Sequence, residues 1–171
     1  QHRYEDLALI QSVLEESRPP WAMELGTAAG GFAAFLAETL AAWGGRVVTV
    51  EVAPAPDLLA QVFDNLVVLT ADLLHGDVEH VQAELAQLAQ DGPGLLYCDN
   101  GNKMQELLLY ADRVPVGGLL GVHDYGTEVV PKFANALTAR LGYERVRWAA
   151  FEALADPVNY PVSLTRLWRR A

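Results

Sequence analysis

Met23-Glu24-Leu25-Gly26-Thr27-Ala28-Ala29-Gly30 carries one acid and two glycines in the pattern E-x-G-x-x-x-G. It completes a short extended run, Trp21–Leu25, and leads into a run with helical spacing over 31–43, where Phe32, Phe35, Leu36 and Leu40 share a face. Glycine at such a junction lets a strand fold sharply into a helix and lets backbone N–H groups come close to a ligand. The dinucleotide fingerprint G-x-G-x-x-G is absent, because Thr27, Ala28 and Ala29 separate Gly26 from Gly30. The next strand-like run, 46–50, leads into a second acid, Glu51. A carboxylate placed there can accept two hydrogen bonds from ribose hydroxyls; the plainer reading is an exposed loop acid. Turn, helix, strand and acid in this order read as the opening of a nucleotide-binding α/β domain.

The alternation continues along the chain. Residues 4–16 carry Leu7, Ile10 and Leu14 on one stripe and stop at Pro19-Pro20. Gly44-Gly45 ends the helix after the glycine turn. Helical runs are expected over 57–63, 77–89, 103–113 and 127–141. Strands are expected over Leu66–Thr70, Leu95–Cys98, 119–123, 144–150 and 162–168. Strands alternating with helices predict a mostly parallel sheet covered on both faces, a Rossmann-like three-layer α/β sandwich. Two closing strands with no helix between them predict an antiparallel C-terminal hairpin at one edge of seven strands. The chain reads as one domain over 1–171, with 1–20 and the loop 152–161 as candidate lids.

Composition narrows the function. Hydrophobic residues make up 51% of the chain, enough for a sizeable core. A formal net charge of −10 argues against nucleic acid as the main partner, since phosphates call for basic surface. The only basic cluster, Arg166, Arg169 and Arg170, reads as a solvated strand edge. A single cysteine, Cys98, suits a reducing compartment, and its apolar strand points to a core residue rather than a reactive thiol. No apolar run has the length of a membrane span and no signal-peptide pattern is visible, so the expectation is a cytoplasmic protein away from membranes. Tyr160 and Trp168, placed on the edge hairpin, would allow a homodimer.

Ligands of open α/β sheets bind beyond the carboxyl ends of the strands. In this chain each of those ends carries an acid within a few residues: Glu24, Glu51, Asp72, Asp99 followed by Asn100, and Asp124 preceded by His123. Asp99 and Asp124 follow neighbouring strands, and two carboxylates facing one cleft repel unless a cation or proton lies between them.

Glu24-x-Gly26-x-x-x-Gly30, Glu51 and the closing hairpin together resemble the class I S-adenosylmethionine-dependent methyltransferases over nearly the whole chain. The resemblance implies that Glu24 lies near the methionine ammonium, through water, and that the turn of Gly26, Thr27 and Gly30 packs against the cofactor. It also implies that Glu51 holds the ribose and that Asp99 and Asn100 lie beside the ligand. Asp72 would approach adenine, or would simply start a turn. The acid after strand four and the segment Gly117-Gly118-Leu-Leu-Gly-Val-His123-Asp124-Tyr125 further resemble the metal-dependent O-methyltransferases. Both the catechol type and the antibiotic-tailoring type related to cephalosporin hydroxylase share these features. There, Mg²⁺ or Mn²⁺ would bind two vicinal substrate oxygens and lower a hydroxyl pKa.

The chain departs from both patterns. Catechol-type enzymes have Asp-Asn after strand five and the antibiotic-tailoring type often Glu-Asp, whereas here the pair is His123-Asp124 and Asp-Asn stands at Asp99-Asn100. A set of Asp99, His123 and Asp124 suits Mn²⁺, Fe²⁺ or Zn²⁺ better than Mg²⁺. His123 could instead be a general base near neutral pH, or a strand-end histidine bonded to backbone. Lys103, one of two lysines, opens a helix near Asp99, one residue out of the catechol-type spacing. It would assist deprotonation of a substrate hydroxyl or serve as an exposed ion-pair lysine. The expected function is methyl transfer from S-adenosylmethionine to oxygen of a small molecule, with or without metal assistance. The alternative is a cofactor-binding regulatory module without catalysis; a nicotinamide-dependent dehydrogenase domain is disfavoured by the missing fingerprint and the hairpin.

Overall fold

A computed structural model describes residues 4–53, 61–147 and 165–171. The expected loop 152–161 and Tyr160 lie outside them, as does most of the expected helix 57–63.

Five runs of apolar and β-branched residues form parallel strands: β1 (Trp21–Leu25), β2 (Arg46–Glu51), β3 (Leu66–Thr70), β4 (Leu95–Cys98) and β5 (Leu119–Val122). β1, β4 and β5 are buried throughout, which is why their sequences read as unbroken apolar runs rather than alternating ones. Two further strands, β6 (Tyr143–Arg145) and β7 (Arg166–Arg170), complete a sheet of order β3-β2-β1-β4-β5-β7-β6. β7 runs antiparallel to both of its neighbours.

Successive residues of each strand serve opposite faces. Met23, Leu25, Leu96, Cys98, Leu120 and Val122 pack with Val81, Leu85, Leu107 and Leu137, from helices α3 (Val78–Leu88), α4 (Lys103–Tyr110) and α5 (Pro131–Arg140). Ala22, Val47, Leu95, Tyr97 and Leu119 pack on the other face with Ile10, Leu14, Leu36 and Leu40, from α1 (Tyr4–Ser17) and α2 (Gly31–Ala41). The sandwich is therefore three-layered, as the sequence predicts. α1 presses its stripe of Leu9, Ile10, Val13 and Leu14 into the core, and its buried Asp6 accepts a hydrogen bond from Thr165 N. No helix of the described residues is long and apolar enough to cross a membrane.

Three expectations need correction. The helix expected over 127–141 starts at Pro131, because the Asp124 carbonyl captures the N–H groups of Thr127, Glu128 and Val129 in a turn first. The cluster of Arg166, Arg169 and Arg170 is not on a free edge, since β7 lies inside the sheet between β5 and β6. Arg166 stacks 4.5 Å above the Tyr125 ring, and Arg170 donates to the carbonyls of Asp112 and Val114. For the same reason Trp168 is buried against the core, not exposed on a hairpin. Cys98 is a core residue, and burial pushes its thiol pKa well up.

Candidate active site

The parallel strands all point their carboxyl ends to one side, and the turns beyond them meet there. Gly26 takes a positive φ of 103°, and a side chain on it would collide with the peptide joining Asp99 to Asn100. The sequence ascribes this glycine to close approach of a ligand; the structure shows that it admits the neighbouring loop. Gly30, at φ 80°, stands immediately before α2 and donates its N–H to the Thr27 carbonyl. Glu51 closes the turn from the side. One carboxylate oxygen accepts the Ala28 N–H and the other the Val52 N–H, each at 2.9 Å. A carboxylate has about four lone-pair positions, so capacity remains for further donors.

Glu24 faces the interior of the fold. Its carboxyl is almost fully buried and accepts a hydrogen bond from Thr49 Oγ1, which in turn shares one with Thr27 Oγ1 at 2.7 Å. Burial pushes its pKa up to about 8 against the Thr49 hydrogen bond, and the charges of Asp99 and Glu51 push the same way. Asp72 builds the turn after β3, accepting from the N–H groups of Leu74 and His75. The Leu74 bond above all holds its pKa below the ordinary value.

A second group of side chains gathers after β4 and β5. His123 Nδ1 stands 3.3 Å from Asp99 Oδ1 and 3.2 Å from Asp124 Oδ2. Burial disfavours the imidazolium, but the Asp99 hydrogen bond and the charges of Asp99 and Asp124 outweigh it and raise the pKa above 6.5. Lys103 Nζ lies 2.9 Å from Glu128 Oε2, 3.0 Å from Asp124 Oδ2 and 3.6 Å from Asp99 Oδ1. Burial opposes its charge as well, and the bonds to Glu128 and Asp124 more than restore it. Only 5% of the Lys103 side chain is exposed, against 19% for Asp99 and 22% for Asp124, so the acids reach the cleft and the lysine does not. The structure thus brings Asp99, Lys103, His123 and Asp124 together. It replaces the exposed lysine of one sequence reading with a buried one. Ligand atoms of Asp99, His123 and Asp124 lie within 4.8 Å of one another, close enough to share a metal ion.

No protein-family model matches the sequence, and no curated protein does either. Solved structures do match in three dimensions. An apo structure of CmcI superposes with a TM-score of 0.70 at 16% identity, covering 99% of this chain and 72% of the other. CmcI with Mg-SAM gives 0.65 at 14%, covering 99% and 73%. TomG, an O-methyltransferase from Streptomyces achromogenes involved in tomaymycin synthesis and solved with SAM, gives 0.60 at 12%, covering 100% and 82%. The chain has the fold of these proteins, the O-methyltransferase TomG among them.

Within that methyltransferase fold, sequence reading misses three polar residues. Thr49 is a hydroxyl inside an apolar strand, and its period-2 position facing Glu24 is the signal that could have found it. Glu106 is fully buried on α4, where Lys103, Glu106, Leu107 and Tyr110 form the inward stripe at helical spacing. It accepts the Asn100 N–H at 3.4 Å, tying α4 to the loop after β4. Burial pushes its pKa up to about 8. Glu128 reaches Lys103 only because Asp124, at φ 55°, turns the chain back; no local pattern announces it.

Proposed function

We propose that the chain is an S-adenosylmethionine-dependent methyltransferase acting on a hydroxyl group of a small molecule. The observation that carries this reading is the placement of the E-x-G-x-x-x-G turn and Glu51 side by side, bonded through Ala28 N, at the carboxyl ends of β1 and β2 in a sheet of order 3-2-1-4-5-7-6. The O-methyltransferase name of TomG and the Mg-SAM bound to CmcI support the choice of cofactor and of oxygen as acceptor.

When bound, this cofactor supplies an electrophilic methyl group for in-line displacement by the acceptor oxygen. Glu51 would hold the ribose hydroxyls, its position already fixed by two backbone N–H groups. The loops carrying Gly26–Gly30 and Asp99-Asn100, locked together by the close contact at Gly26, would line the cofactor. Glu24, turned onto Thr49, braces that turn from beneath. Asp72 would shape the adenine end through its turn. Asp99 and Asp124 reach the cleft and would receive the hydroxyl proton, with His123 holding both carboxylates in place.

Calorimetric titration with S-adenosylhomocysteine, with NAD as control, tests the reading. Micromolar binding of the first alone is the expected result, followed by methyl transfer to some member of a panel of hydroxylated small molecules. Binding of NAD in place of S-adenosylhomocysteine would overturn the cofactor assignment. Binding without transfer across the panel would favour a regulatory module.

A further inference from the structure

We propose that the Lys103 ammonium is a resident cation that takes the place of a divalent metal ion between Asp99, Asp124 and Glu128. The proposal deepens the methyltransferase reading, and its geometry stands independently of it.

The position of the ammonium follows from local structure. Asn102 caps α4, its side chain accepting the Gln105 N–H, and this sets Lys103 on the inward stripe with Glu106, Leu107 and Tyr110. The left-handed turn at Asp124 brings Glu128 back over the same point. Three carboxylates therefore converge on one buried Nζ at 2.9, 3.0 and 3.6 Å. An ammonium offers three donors and one positive charge, a match in number for three acceptors.

The donor set Asp99, His123 and Asp124 does not fit a metal ion while Lys103 is in place. Mg²⁺ sits roughly 2.1 Å from its oxygen ligands. Bound to Asp124 Oδ2, already 3.0 Å from Nζ, a dication would share that carboxylate with a buried ammonium. The two cations would repel in surroundings that screen poorly. Lys103 already relieves the repulsion between Asp99 and Asp124 that makes a cation necessary. Buried as it is, Lys103 is a positioning residue that sets the charge and aim of the two half-buried acids. The acceptor then need not carry the two neighbouring oxygens that a chelating metal demands, and a single hydroxyl suffices.

Mn²⁺ titration, followed by calorimetry or electron paramagnetic resonance, tests this on chelator-treated wild type, Asp124→Asn, Lys103→Met and the double variant. The wild type is expected to take up no Mn²⁺ at micromolar concentration. Lys103→Met, with its cation removed, is expected to bind Mn²⁺ at least about tenfold more tightly than wild type and to melt at a higher temperature when Mn²⁺ is present. The double variant should lose both effects. Micromolar binding by wild type that disappears in Asp124→Asn would overturn the proposal, and this pair decides the matter should Lys103→Met fail to fold. A folded Lys103→Met that ignores Mn²⁺ would overturn it too, because the acids would then form no cation site. S-adenosylhomocysteine binding, measured alongside, reports on the methyltransferase reading without entering the metal result.

Discussion

Gly26 and Asn100 touch backbone to backbone: a methyl group on the first would lie 2.7 Å from the amide nitrogen of the second. The contact joins the turn after β1 to the turn after β4, so any side chain at position 26 must separate two halves of the cleft. Gly26→Ala is expected to cost about 1–3 kcal/mol through its positive φ alone, with the clash added. Urea denaturation measures that loss, and S-adenosylhomocysteine binding should fail in the same variant. Stability unchanged from wild type would mean that the loops part freely.

Glu51 is held by backbone N–H groups yet remains partly open to solvent. Hydrogen bonds to a charged acceptor are worth about 1.5–3 kcal/mol each. Glu51→Ala should therefore weaken S-adenosylhomocysteine roughly 10- to 100-fold while circular dichroism shows the fold intact. Equal affinity in variant and wild type would remove the ribose role.

Asp124 tests the acid side of the cleft. Asparagine tolerates the left-handed conformation that the chain adopts here, so Asp124→Asn keeps the turn and removes the charge. Turnover should fall by about 10²–10⁴-fold, with cofactor affinity near that of wild type. Full activity in this variant would leave Asp99 to act alone.

Glu24 and Glu106 give stability a pH dependence. Both carboxyls titrate near 4.5 in an unfolded chain and at about 8 in the fold, with burial the chief cause. The folded state therefore holds extra protons between these values. Their contribution is complete below about pH 4.5 and is lost as pH rises through about 8. Glu106 faces the N–H of Asn100, Lys103 and Asp99. Its substitution by glutamine keeps the shape and removes the proton, so Glu106→Gln should show a flatter fall in unfolding free energy over that range. An unchanged slope would place the proton elsewhere.

Much of this was legible because parallel strands and helices write distinct periods into sequence. β1 to β5 stand out as short apolar runs, the inward stripes of α1 and α2 follow the helical period, and the acids at the strand ends follow from topology. The site was less legible. The purpose of Gly26 depends on a loop more than 70 residues away in the chain. The interior course of β7 was hidden because Arg166, Arg169 and Arg170 suggest water, while in the fold the guanidinium of Arg166 covers a ring and that of Arg170 bonds to carbonyls. Lys103 looked solvent-facing because lysine usually is. Only the three carboxylates, Asp99 from the turn after β4 and Asp124 and Glu128 from the turn after β5, make its burial favourable.

The position of β7 has a consequence for how the chain assembles as it leaves the ribosome. β1 to β5 can pair in the order in which they emerge, but β6, next in line, borders only β7. It must wait unpaired until residues 166–170 are made and slide in beside β5. A nascent chain stalled before Arg166 would thus carry one waiting strand and one open sheet flank. The synthesis of a few residues covers the flank of β5 and gives the waiting strand its partner.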